Sequence, residues 1–159
     1  MPYYPLNPAV GQVVQFAHTT SSAVATGTTT IPQDDTIPQN TEGNEYLTLA
    51  ITPRSTTNIL VIEFNGVFAT SAVQNFTVAL FQDTTANALA ARGYTTDSVN
   101  GAYDISLVHT MTAGTTSSTT LKIRAGGAAA GTTTFNGKAG TRLYSTTQKS
   151  IMTITEIQA

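Results

Sequence analysis

Glu45–Ala69, EYLTLAITPRSTTNILVIEFNGVFA, is the stretch whose reading decides the fold. It holds two apolar runs, Tyr46–Ile51 and Ile59–Phe68, separated by Thr52-Pro53-Arg54-Ser55-Thr56-Thr57-Asn58. In the first run Leu47, Leu49 and Ile51 share one face at period two, with Tyr46, Thr48 and Ala50 on the other, which is strand spacing. The second run is nearly continuous through Ile59, Leu60, Val61, Ile62 and Phe64, as expected of a strand covered on both sides. Pro53 cannot donate to a ladder and Asn58 suits a turn, so the linker reads as a reversal or a crossover. Each large side chain fully buried contributes roughly 1.5–3 kcal/mol, which makes this pair of strands the expected centre of the core.

Outward from that stretch the same pattern recurs. Gln12–His18, Asn75–Gln82, Tyr103–Met111, Thr120–Arg124 and Ser150–Ile157 read as strands, with weaker candidates at Ala88–Tyr94, Thr132–Phe135 and Arg142–Tyr144. Phe76, Val78 and Leu80 fall on one face of their strand, Tyr103, Ile105, Leu107, His109 and Met111 on one face of theirs. Leu121 and Ile123 point in, Lys122 and Arg124 out. Gly126–Gly131, GGAAAG, reads as a flexible connector. Short strands separated by Gly, Asn, Pro and Ser, with no segment of helical period, give an all-β chain forming a sandwich or barrel.

Composition supports this. Only 10% of the 159 residues are charged, against about 25% in ordinary domains. Threonine, at 32 residues, supplies much of the polar surface, and its branched side chain favours the exposed face of a pleated sheet. The length fits one domain with a real core, expected over residues 10–159. Residues 1–9, MPYYPLNPA, carry three prolines and favour extended backbone. Tyr3, Tyr4 and Leu6 are costly to leave in water, so this segment is expected to be an arm docking on a neighbouring subunit. Thr19–Gly43 is a long polar passage in which Ile31 and Ile37 would pin a short edge strand. A structureless passage of that length tends to be functional or packed on a partner.

Seven basic and nine acidic residues are scattered, so neither a nucleic-acid partner nor a charge-driven one is expected. Without cysteine, disulfides and thiolate metal sites are excluded. No apolar run approaches the ~18 residues of a membrane span, and the first residues lack the basic and apolar regions of a secretory signal. Synthesis in a cytoplasm without standard export is the expectation.

Catalytic chemistry is not expected. His18 ends a strand and His109 sits among apolar residues, settings where histidine is usually packed and hydrogen-bonded. Ser106 falls on the face opposite His109, no G-x-S-x-G elbow exists, and no triad forms. Asp34, Asp35, Glu42, Glu45, Asp83, Asp97 and Asp104 are turn or loop carboxylates. They match no calcium-loop spacing, so no metal or cofactor is assigned. Gly131–Ala139, GTTTFNGKA, fails the phosphate-loop pattern by one residue and by its terminal alanine. Lys122 and Arg124 read as a solvated strand face. Loops carrying Tyr94, Asn100, Tyr103 and Asn136 are the candidate ligand-facing positions, because aromatic and amide groups suit sugars.

Four motifs occur in order: Gly11-Gln12-Val13-Val14-Gln15; Leu49 to Val61 (LAITPRSTTNILV); Thr120-Leu121-Lys122-Ile123-Arg124; and Ile151-Met152-Thr153-Ile154-Thr155-Glu156-Ile157. Together they resemble the small tail-fibre, adhesin-tip and capsid-decoration modules of tailed bacteriophages, which are similar to the C1q/TNF-type jelly roll. The resemblance covers the chain from Gly11 onward and its motifs mark strands. It implies an antiparallel jelly-roll sandwich assembling as a trimer, and a non-enzymatic virion protein that decorates and stabilises the capsid, bound to the major capsid protein. The alternative it implies is a tail-fibre or spike tip that binds a host receptor or surface glycan.

Overall fold

A computed structural model describes residues 9–159. Tyr3, Tyr4 and Leu6 of the expected arm lie outside the described residues. Among the described residues strand is the only regular secondary structure. In chain order the strands are β1 (Val13–Ser21), β2 (Ala25–Gly27), β3 (Asn44–Ile51), β4 (Ile59–Thr70), β5 (Asn75–Gln82) and β6 (Ala90–Thr95). They continue as β7 (Ala102–Thr112), β8 (Thr119–Gly127), β9 (Thr133–Phe135), β10 (Gly137–Lys138), β11 (Thr141–Arg142) and β12 (Ser150–Ile157).

Two antiparallel sheets pack face to face. The front sheet runs β1-β12-β4-β7, and beyond the end of β12 the short strands β9 and β2 continue it beside β4. The back sheet runs β3-β8-β5-β6. From β2 to β9 the chain crosses between the layers at every connection except the paired neighbours β5 and β6, which is the jelly-roll arrangement. Thr52–Asn58 is therefore a crossover, since β3 and β4 belong to different sheets. The apolar runs of the opening stretch line the core from opposite sheets instead of pairing edge to edge.

The core lies between the layers. Leu60, Ile62 and Phe64 of β4, Val78 and Leu80 of β5, Leu107 of β7, Leu121 and Ile123 of β8 and Met152 and Ile154 of β12 are all buried. Phe68 is its aromatic centre, with ring centroids 5.5 Å from Tyr46, 5.3 Å from Phe76 and 5.1 Å from Phe135. These are distances at which tilted and edge-on rings attract. Tyr46 departs from the simple alternation that would have pointed it outward. A register shift between Glu45 and Leu47 turns its ring toward Phe68 and Phe135. Burial pushes its phenol well above the ordinary tyrosine value.

Three further expectations are corrected. The expectation of a strand covered on both faces fits β5, with six consecutive buried residues, better than β4. From Ile59 to Asn65, β4 alternates buried Leu60, Ile62 and Phe64 with more exposed Ile59, Val61, Glu63 and Asn65. The second face of β5 is covered by the chain's own polar passage between β2 and β3. Ile31 is fully buried there, and its amide donates to Gly127 O. Asn40 Nδ2 donates to Thr84 O and Thr85 O, and Arg124 donates to the carbonyls of Glu42 and Gly43. The passage thus packs on its own back sheet, and Ile37 stays exposed without forming an edge strand. The glycines read as a flexible connector start as strand: Gly126 and Gly127 are buried at the end of β8. A Cβ on Gly126 would lie 2.5 Å from Thr29 O, so only glycine lets the passage lie this close.

Candidate functional site

Three places in the fold concentrate polar or exposed chemistry. The first is the seam where the two sheets end together, between edge strands β6 and β7. Tyr94 and Tyr103, candidate ligand-facing residues at the ends of two expected strands, sit in β6 and β7 with ring centroids 5.1 Å apart. Tyr103 Oη accepts from the amides of Asp97 (2.9 Å) and Ser98 (3.1 Å) and donates to the Asp97 carboxylate. Its hydroxyl is thus committed to holding the β6–β7 turn. Tyr94 remains 42% exposed. Asn100 lies in that same turn with φ +57°, its amide bonded to Thr70 O at 2.8 Å. Beside the tyrosines, Arg92, Gly93 and Tyr94 of β6 and Asp104, Ile105 and Ser106 of β7 line a groove of about 250 Å³.

Asn136 does not join them. It is fully buried at the corner between β9 and β10, where Nδ2 donates to Ser21 O (2.8 Å) and Ala23 O (3.1 Å) and Oδ1 accepts from Ser150 Oγ (2.7 Å). Its amide donates to Val67 O, at the point where β9 replaces β12 beside β4. A side chain with every polar atom satisfied inside the protein offers nothing to a ligand, so Asn136 is corrected from ligand-facing to structural.

The second place is a buried polar cluster that joins three of the four sequence motifs. Glu156 is fully buried. Its Oε1 accepts from Asn58 Nδ2 (2.6 Å) and from the amides of Arg54 (2.7 Å) and Ser55 (3.4 Å). With the Gln15 amide oriented to satisfy its surroundings, Gln15 Nε2 donates to Glu156 Oε2 (3.0 Å) and Thr52 O (3.1 Å). One carboxylate therefore fixes the β3–β4 crossover to the first and last strands. A buried carboxyl group is tolerable only with such a set of hydrogen bonds. Gln15, Asn58 and Glu156 of those motifs tie the crossover to the first and last strands.

The third is the outer face of the front sheet. Phe16, Val108 and Ile151 are 59%, 53% and 37% exposed. The strand register sets Val108, Glu63, Thr153 and His18 in one row, and Thr110, Val61, Thr155 and Phe16 in the next. Glu63, Asn65, Ser106, Val108, Ile151 and Thr153 line a shallow depression across it. Phe16 stacks on His18 at 5.7 Å. This face is a mosaic of aliphatic side chains and threonines around the Glu63 carboxylate.

The remaining titratable groups serve local structure. His109 points inward from β7, and partial burial holds its imidazole below the ordinary value; Ser106, on the opposite face, bonds Asn65. Hydrogen bonds from Thr36 hold the exposed Asp34 carboxyl below its usual range. Asp83 accepts from Thr119 Oγ1 and the Thr120 amide, both at 2.7 Å. Lys122 and Arg124 each lie 3.7 Å from Glu45. Among the described residues no group of three or more His, Asp or Glu side chains could hold a metal ion.

Asp104, weighed from sequence only as a turn carboxylate, lies within β7, and Arg92 and the front-sheet face are not singled out from sequence. The outward signal for Asp104 and Val108 was present in the alternation of β7. The alanines around Arg92 concealed that β6 is a strand.

No family model matches the chain, and no curated protein matches it. Among solved structures it is similar to Eiger TNF from S. frugiperda, with a TM-score of 0.56 at 13% identity over 93% of this chain and 96% of that one. It also aligns with the infectious bursal disease virus VP2 subviral particle protein (TM-score 0.35, 13% identity, all of this chain but 42% of that one). A third alignment is with tailspike protein 4 of bacteriophage CBA120 (0.30, 16%, 80% and 20%). The chain thus spans less than half of either viral protein, and the last two scores are too low to bear on the fold. The Eiger likeness extends over both chains almost end to end, and with the strand order above it establishes an all-β, antiparallel, TNF-like jelly roll.

Proposed function

We propose that this chain is a non-enzymatic structural module that associates with copies of itself, as a trimer, and serves as a decoration protein on a virus particle. The observation that carries the reading is the outer face of the front sheet. Phe16 on β1, Ile151 on β12 and Val108 on β7 spread exposed apolar side chains across the full width of this face, within rows of threonine, which suits a face that another surface covers. Four strands about 4.8 Å apart and about nine residues long present on the order of 600 Å² in projection. That approaches the ~800 Å² per partner of a stable interface. A second copy of the chain is the fitting occupant, since closed symmetric assembly is the usual state of soluble oligomers. Without disulfides, burial between subunits is the source of durability open to a particle component.

Residues 1–9 are assigned as the arm that seats the module on the particle. Virions purified from a host carrying this gene should contain the chain at a fixed copy number, detected by quantitative mass spectrometry. Recombinant chain should rebind stripped particles, and a chain lacking residues 1–9 should fold but fail to rebind. Absence from purified virions contradicts the particle role, and full rebinding by the truncated chain contradicts the assignment of the arm.

A further inference from the structure

We propose that the groove between β6 and β7 is a carbohydrate site, sized for one pyranose ring of a surface glycan, with Tyr94 as stacking platform, Asp104 as acceptor for ring hydroxyls and Arg92 as donor to an acceptor substituent. The groove's volume of about 250 Å³ is below the ~300–1,000 Å³ of drug-sized pockets and matches a single sugar ring. The inference does not depend on where the module resides.

The chemistry is assembled from both sheets. Arg92 and Tyr94 pair with Val78 and Phe76 of β5, so both side chains leave the inner face of the back sheet and project over the open seam toward β7. Asp104 pairs with Val67 and projects from the outer face of β7, on the far wall. Ile105, 4% exposed, gives an apolar floor, and Ser106 adds a hydroxyl. The Tyr94 ring is open on one side and backed by Tyr103 on the other. Tyr103 is itself fixed by three hydrogen bonds to Asp97 and Ser98, so the platform is in place before any ligand arrives. Gly101 permits this, since a Cβ there would lie 2.7 Å from Tyr103 Oη.

Arg92 and Asp104 are exposed, and among the described residues neither has an ion-pair partner. A guanidinium and an aromatic ring on the β6 wall and a carboxylate on the β7 wall present donors, an apolar plane and an acceptor. A pyranose offers the complement: hydroxyls, an oxygen-bearing substituent and a C–H face. Nucleic acid is the poorer fit, because Asp104 would repel its phosphates and the chain is net negative.

Saturation-transfer-difference NMR on the full chain, with methyl glycosides of neutral hexoses, N-acetylhexosamines and uronic acids, tests the assignment. Saturable transfer is expected to at least one class. Tyr94→Ala and Asp104→Asn should each weaken it tenfold or more while circular dichroism and Tm stay unchanged. Tyr94→Phe, which keeps the ring, should retain it. Preference for uronic acids or N-acetyl sugars that disappears in Arg92→Ala would identify the substituent that Arg92 reads. No saturable transfer to any class up to tens of millimolar, or transfer unaffected by Tyr94→Ala, would overturn the proposal.

Discussion

Glu156 Oε1 accepts a hydrogen bond from Asn58 Nδ2 at 2.6 Å, and both residues are fully buried although 98 positions separate them in the chain. That contact closes the β3–β4 crossover onto the last strand. Glu156→Ala would leave the Asn58 amide and the Arg54 N–H without their acceptor in the interior. Leaving a buried donor without its acceptor typically costs about 1–3 kcal/mol, and urea unfolding should show a loss of at least that order. Glu156→Gln keeps an oxygen for Asn58 and should cost less. Equal losses for both variants would mean that the negative charge, not the acceptor geometry, matters.

Asn136 makes a second such junction, with the difference that its backbone is left-handed at φ +55°. Asn136→Ala forfeits the bonds to Ser21 O, Ala23 O and Ser150 Oγ, at a cost of roughly 2–4 kcal/mol. Asn136→Asp should be worse, because its carboxylate would face two carbonyl oxygens where the amide nitrogen now donates. Thermal unfolding of the two variants checks the order.

The polar passage over the back sheet can be lifted by one atom. Gly126→Ala places a methyl group against Thr29 O and should destabilise the chain by roughly 1–3 kcal/mol. Hydrogen exchange should accelerate first in residues 29–43, before the strands beneath. Uniform acceleration over the whole chain would mean the passage has no separate stability.

His109 gives a pH dependence whose sign follows from its burial. Its folded form binds a proton less readily than the unfolded form, whose value is near 6.5. The unfolded state therefore carries more protons in the interval between the two values, and stability declines as pH falls through 6.5 and levels off below the folded value. His109→Gln should flatten that part of the curve in denaturant titrations from pH 8 to 5.

How much of this was legible beforehand follows from the range of the interactions. Alternation placed Ile105, Leu107, Leu121 and Ile123 correctly, because period two is a local property of a strand. The inward turn of Tyr46 depends on a register shift against β8, which no single strand encodes. Asn136 carries good turn chemistry for its positive φ, but its burial is fixed by Ser21, Ala23 and Ser150, distant in sequence. The β6–β7 groove was half visible. Its tyrosines stand out by type, whereas Arg92 and Asp104 become neighbours only because two different sheets end side by side.

Self-association through the front sheet is tested most directly by sedimentation velocity of the intact chain beside Val108→Glu. The wild type should sediment as an oligomer of three subunits at micromolar concentration. Val108→Glu, which sets a second carboxylate beside Glu63 on the exposed face, should sediment as a folded monomer with an unchanged circular dichroism spectrum. A wild-type chain that remains monomeric at every concentration reached, or a variant that assembles as well as the wild type, would contradict assembly through this face.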